Sequence, residues 1–325
     1  MKKYIAALLA GVLLFSLSCC GEKENAGRSI PGTTQEESTT PEIITPEINQ
    51  STQIAIENEE RDGIKTIITG VSDGNYPSGF APLPAIHYER VSDSTELSAK
   101  KVSHSHGPAS GGEPHHTVVE FQKLFDKYGA VTLDTSGEKT LYLTFDCGYE
   151  YENLTSRVLD VLKEKGVCAT FFCTLDHIKA EHELIARMIK EGHIVGNHST
   201  THPSFAEISR NKMVEEIEQT ENYLRENFGY AAKFFRFPAG EYNESALEVV
   251  SSLGYCSVFW SVAYDDWDTK NIRGKDYAVE KVISRLHDGA VILLHSVSRD
   301  NADALGEIID KAREQGYEFK SLGDI

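Results

Sequence analysis

From about residue 117 the chain alternates short apolar runs with amphipathic stretches, six or seven times in succession. The apolar runs lie at 141–145, 168–173, 193–197, 234–237, 255–262, 290–294 and 319–322. Helical periodicity covers 118–128, 154–165, 183–191, 209–228, 245–253, 279–286 and 302–315. Strand then helix, repeated, specifies parallel βαβ units. Near-continuous apolar strands fit a sheet covered on both faces. The alternation alone admits an open doubly wound sheet or a barrel. Neither G-x-G-x-x-G nor a G-K-[ST] loop occurs, which argues against a nucleotide fold.

What precedes this region has a different character. Lys2 and Lys3 open an apolar stretch at 5–17, too short to span a bilayer, followed by L-S-C-C. This predicts a secretory signal peptide over residues 1–19. Its end resembles a bacterial lipobox, with Leu17 three residues before Cys20, although Cys19 stands where a smaller residue is usual. The resemblance implies lipidation at Cys20 and an extracytoplasmic, membrane-anchored protein; plain secretion is the alternative. Residues 20–62 read as a disordered acidic tether, because 21–62 holds 10 acidic and 3 basic residues, net −7, with no aromatic. Residues 63–116 lack a sustained period and read as an irregular N-terminal extension. They end in a tract holding His104, His106, His115 and His116, either a solvated loop or a metal-binding tract. Residues 117–325 form the globular domain. The formal charge of −18 makes nucleic acid an unsuitable partner. Six cysteines are too few for a disulfide scaffold of 325 residues. Cys168, Cys173 and Cys256 read as buried free thiols.

Polar residues cluster at the strands' C-terminal ends. Asp146 follows the first strand in T-F-D-C-G-Y. His198 and His202 follow the third in G-N-H-S-T-T-H-P. Arg236 lies in the fourth, in F-R-F-P-A-G. Asp265, Asp266 and Trp267 follow the fifth, in V-A-Y-D-D-W, and His295 ends the sixth, in V-I-L-L-H-S. Parallel strands bring such ends to one face, so these residues predict one shared site. His198 and His202 beside a carboxylate suit a divalent cation, zinc first, with cobalt or manganese as alternatives.

These five blocks, in this order over residues 139–322, resemble the polysaccharide deacetylases, the NodB-homology group. T-F-D-C-G-Y-E, the stretch A-V-I-L-L-H-S-V-S-R-D-N-A-D-A-L and G-Y-E-F-K-S-L are similar to the delta-lactam-biosynthetic branch, which de-N-acetylates muramic acid in peptidoglycan. The resemblance implies a distorted (β/α) barrel of seven or eight strands. It implies Asp146 as general base, His198 and His202 as metal ligands, and His295 as general acid. It also implies Arg236 orienting Asp146, Asp266 pairing with Arg236, and a backbone amide near Tyr149 facing the oxyanion. A metal-bound water ionises near neutral pH, which amide hydrolysis needs.

Two positions depart from the family pattern. Cys147 replaces the aspartate that usually ligates the metal; it is a thiolate ligand, a packed bystander or the mark of a weak metal site. Ala263 stands where many relatives carry an acid, and Asp265 is a candidate substitute. Trp260 reads as core and Trp267 as core or a sugar platform. The implied partner is peptidoglycan, with N-acetylglucosamine, xylan or chitin oligomers as rival substrates. A non-catalytic glycan-binding lipoprotein is the reading from a different class. Nothing in the sequence fixes the oligomeric state.

Overall fold

The computed structural model describes residues 79–325 and the backbone of residues 58–61 and 64–69. The expected signal peptide, Cys20 and nearly all of the acidic tether lie outside the described residues. Three short strands come first: β1 (Asn58–Arg61), β2 (Ile64–Thr69) and β3 (Ala85–His87), an antiparallel set. Strand β4 (Val102–Ser103) and helix α1 (His116–Phe125) follow. The repeating part then runs β5 (Thr140–Cys147), α2 (Leu154–Lys165), β6 (Thr170–Cys173), α3 (Leu175–Ala180), α4 (His182–Lys190), β7 (Ile194–Asn197) and α5 (Arg210–Phe228). It continues with β8 (Phe234–Phe235), β9 (Glu241–Tyr242), α6 (Glu244–Ser252), β10 (Cys256–Ser257), α7 (Lys275–Ile283), β11 (Ala290–His295), α8 (Arg299–Glu314) and β12 (Glu318–Lys320). Helix α3 has no counterpart in the periodicity, because six residues are too few to show one.

The main sheet has seven parallel strands in the order β10-β8-β7-β6-β5-β11, with β12 beside the first half of β5. It curls into a distorted (β/α) barrel. The chain expected as one strand over 255–262 is regular only at β10. Beyond it, Val258 bridges Val131 and Val262 bridges Ile292 of β11, so this segment ties the two ends of the curled sheet. Its irregularity has a visible cause, since the carbonyls of Val258 and Phe259 accept from the guanidinium of Arg236.

Alternation along β5 divides the interior in two. Leu141, Leu143, Phe145 and Cys147 join the large cluster beneath the helices. Tyr142 joins a smaller cluster with Phe172, Val258, Val291 and Leu322, which fills the barrel. Gly196 makes room there: a Cβ on it would lie 2.5 Å from the ring of Phe172.

The N-terminal extension lies along α5. Leu83 donates to the Arg225 carbonyl, Arg225 to that of Pro84, and the Asn222 amide exchanges two hydrogen bonds with Ile86. Ser209 caps α5 at its start, and Gly229 ends it in a left-handed turn, φ 56°. A Cβ at Gly229 would lie 1.8 Å from the carbonyl oxygen of Ala81. Gly229→Ala therefore combines backbone strain with a collision and should destabilise the protein by about 1–3 kcal/mol. Urea unfolding followed by circular dichroism checks this; an unchanged midpoint would mean the extension does not pack there.

Candidate active site

Asp146, the seventh residue of β5, points into the barrel side of the sheet and reaches a cavity of about 800 Å³. Its Oδ1 accepts from Nη1 of Arg236 at 2.8 Å, and its Oδ2 lies 3.6 Å from Nε2 of His198. Arg236 sits just past β8 rather than within the strand as expected, and is fully buried. Its other nitrogens donate to Val258 and Phe259, and its plane lies 4.1 Å above the ring of Phe172. The arginine is thus fixed by three hydrogen bonds and a cation–π contact. Burial alone would raise the Asp146 pKa, but the charge of Arg236, assisted by His198 and His295, holds it below the usual carboxylate range. Asp146 is therefore ionised at neutral pH.

His198 and His202 lie on the loop after β7, their rings 4.8 Å apart and nearly perpendicular. That loop bends sharply, with Ser199 and His202 at positive φ. Buried Glu216 of α5 holds it by accepting from the amides of Thr200 and Thr201 and from the Thr201 hydroxyl. His198 Nδ1 donates to the Arg236 carbonyl at 2.8 Å, which leaves Nε2 with its lone pair directed toward Asp146. Burial pushes His198 down to about 4 and also lowers His202. Two neutral imidazoles, one oriented through its far nitrogen and beside a carboxylate, fit a divalent cation. Their donor chemistry suits zinc, cobalt or manganese alike.

His295 ends β11 on the other side of the same cavity. Its Nδ1 lies 2.7 Å from Oδ1 of Asp266, whose Oδ2 accepts from the His295 amide at 2.8 Å and from Asn301 at 2.5 Å. The resemblance implied a pair between Asp266 and Arg236. The structure corrects this: Arg236 spends its donors on Asp146 and two carbonyls, whereas Asp266 orients His295. Burial would lower the His295 pKa, but Asp266 outweighs it and raises the value above the ordinary imidazole figure of 6.5.

Asn301 and Tyr264, which donates to Asn301, are supports that pattern reading did not find. A buried amide inside a helix carries no sequence signal of its own. Glu216 was hidden for the same reason, as one acid among several on α5.

Other expected residues fall differently. Cys147 faces away from Asp146, into the cluster under the helices, so it does not reach the His198 and His202 pair. His104 is not solvated. It is buried against Phe121, Phe125 and Phe259, with Nε2 2.8 Å from the Trp260 carbonyl, and burial lowers it to about 3. His106 lines the cavity, and His115 caps α1. Trp260 also lines the cavity instead of lying wholly in the core, and exposed Trp267 stands at its rim with Asp265 and Ala263. Cys168 and Cys256 are half-buried; only Cys173 of the three expected core thiols is fully enclosed.

A family model for polysaccharide deacetylase matches residues 134–258. The chain is 42% identical over 226 residues to the peptidoglycan-N-acetylmuramic acid deacetylase PdaA of Bacillus subtilis, covering 69% of this chain and 83% of that one. It is 43% identical over 224 residues to the uncharacterized 30.6 kDa protein in the fumA 3′ region of Geobacillus stearothermophilus, with 69% and 82% covered. The structure of Bacillus subtilis PdaA, a family 4 carbohydrate esterase, matches with TM-score 0.68 at 39% identity over 70% of this chain and 97% of that one. The chain belongs to the polysaccharide deacetylase family and is a hydrolase of carbon–nitrogen bonds other than peptide bonds.

Proposed function

We propose that this protein is a metal-dependent de-N-acetylase of peptidoglycan that removes the acetyl group from N-acetylmuramic acid, leaving an amine able to close a delta-lactam. The observation that carries the reading is the pairing across one cavity of an ionised Asp146, fixed by Arg236, with a His295 made more basic by Asp266. A binding protein needs no such pair of opposed proton carriers. The 42% identity to a muramic acid deacetylase supports the choice of sugar. His198 and His202 hold the divalent cation, which when bound supplies Lewis acidity and a water acidic enough to react at neutral pH.

Asp146 takes a proton from the attacking water as its oxygen joins the acetyl carbon. The resemblance assigns the backbone amide near Tyr149 as donor to the developing oxyanion, a contribution of about 3 kcal/mol. An amine leaves poorly, so His295 delivers its Nε2 proton to the sugar nitrogen as the C–N bond breaks. Such acid catalysis adds about a hundred- to ten-thousand-fold. Trp267 offers a face for a sugar ring at the rim. The substrate lies outside the cytoplasmic membrane, which agrees with lipid anchoring through Cys20.

These roles fix the pH profile. Asp146 must be ionised and His198 neutral, so activity is lost on the acid side as pH falls through the His198 value of about 4 and then through the depressed pKa of Asp146. His295 must be protonated, so activity falls as pH rises through its raised pKa, above 6.5. Asp266→Asn removes the charge that raises His295, and the alkaline limb of kcat/KM should move to lower pH while the acid limb stays. An unmoved alkaline limb would remove Asp266 from this role.

Mass spectrometry of glycan fragments after treatment tests the choice of sugar. Fragments lacking acetyl on muramic acid support it. Loss confined to N-acetylglucosamine would assign the other sugar.

A further inference from the structure

Cys147 and Cys173 end neighbouring parallel strands and are direct partners across them. Both belong to the cluster under the helices, not to the barrel interior. His177 stands four residues beyond Cys173, in the first turn of α3, which Thr174 caps. The two Sγ atoms and a ring nitrogen of His177 all lie within 4.8 Å of one another, and all three residues are buried. Among the described residues, neither ring nitrogen of His177 has a hydrogen-bond partner. Leaving buried polar groups unpaired is costly. Burial lowers His177 to about 4, so its ring is neutral and offers a lone pair.

Three explanations can be weighed. Apolar packing leaves the imidazole unpaired. A disulfide would consume both thiols and still leave it unpaired. A cation would use all three groups. With two sulfurs, one nitrogen and no carboxylate, the set is soft.

We infer that Cys147, Cys173 and His177 form a second metal site, closed to solvent and separate from His198 and His202, for a thiophilic d10 cation, zinc or monovalent copper. Each thiol gives up its proton to solvent as its sulfur binds, so two protons leave and nothing is oxidised. The site ties β5 and β6 to α3. Cys147 is the chain neighbour of Asp146, and the Cys173 carbonyl accepts from the His198 amide at 3.1 Å, so this tie braces the active site from behind.

The test uses the full chain, reduced and kept anaerobic, with cobalt as a stand-in for zinc and with monovalent copper. Either thiolate-to-cobalt charge-transfer absorption or one copper per chain retained against a competing chelator is expected. Cys173→Ser should abolish that signal, and Cys256→Ser should leave it intact. His198→Ala/His202→Ala should also keep it, even if acetate release is lost or was never present, which separates this site from the proposed reaction. If Cys173→Ser fails to fold, His177→Gln serves instead. It should weaken cation retention by more than the roughly tenfold that loss of a supporting partner brings. Neither signal in the native chain, a signal that survives these substitutions, or an intact mass showing Cys147 and Cys173 joined would overturn the inference.

Discussion

Replacing Asp146 with Asn should reduce acetate release by about a hundred- to ten-thousand-fold while leaving bound metal nearly unchanged. The substitution keeps the shape of the side chain and an oxygen to accept from Arg236, and removes its charge and basicity. Arg236 keeps its bonds to the Val258 and Phe259 carbonyls, so the barrel mouth stays assembled around it. His198 and His202 are untouched, and the first stays oriented by the Arg236 carbonyl. Acetate assays with metal analysis on the same sample separate the two effects. An Asp146→Asn enzyme with full activity would remove Asp146 as the base. One that lost its metal as well would make the carboxylate chiefly a ligand.

The larger structural effect belongs to Arg236→Ala. Among the described residues Arg236 is the bulkiest fully buried side chain, and it neutralises a carboxylate that burial would otherwise protonate. Removing it leaves that carboxylate without its cation, two carbonyls without a donor, and a void above Phe172. Breaking a buried pair from one side costs about 3–5 kcal/mol, a large share of the stability of an ordinary domain. In the fraction that folds, the Asp146 pKa should rise, and the acid limb of the activity profile should move to higher pH. Arg236→Lys keeps one charge but cannot hold three partners in one plane, so it should recover stability better than rate. Denaturant unfolding and a pH profile on each variant check both. A fully stable Arg236→Ala protein with an unmoved acid limb would contradict the assignment.

How far the sequence alone could reach follows from what kind of contact each residue makes. Asp146, His198, His202, Arg236 and His295 all lie at or just past the C-terminal ends of parallel strands, and the topology delivers them to one mouth whatever the details. Their grouping was therefore legible from position. The partner of Asp266 was not. Whether an acid past β10 turns toward Arg236 or toward His295 depends on loop geometry, and on an Asn301 that sits on α8, 35 residues away. Cys147 illustrates the opposite limit. Strand alternation sends it to the face opposite Asp146, yet the boundary of β5 must be known to one residue before that can be used. His104 was misread because a Gly- and Ser-rich neighbourhood suggests solvent, whereas three aromatic rings from distant elements enclose it. Segment 255–262 was read as one strand because apolarity does not reveal where its carbonyls are spent.

The central claim is that the carboxylate at the end of β5 and the imidazole at the end of β11 cleave an acetamide with the help of a cation on His198 and His202. The most direct test is acetate release from denuded glycan strands by the chelator-treated enzyme, before and after restoring zinc, cobalt or manganese. Acetate should be negligible before addition and rise with stoichiometric cation, in the native enzyme but not in His198→Ala/His202→Ala. Release that is indifferent to chelation, or absent with every cation, would contradict it.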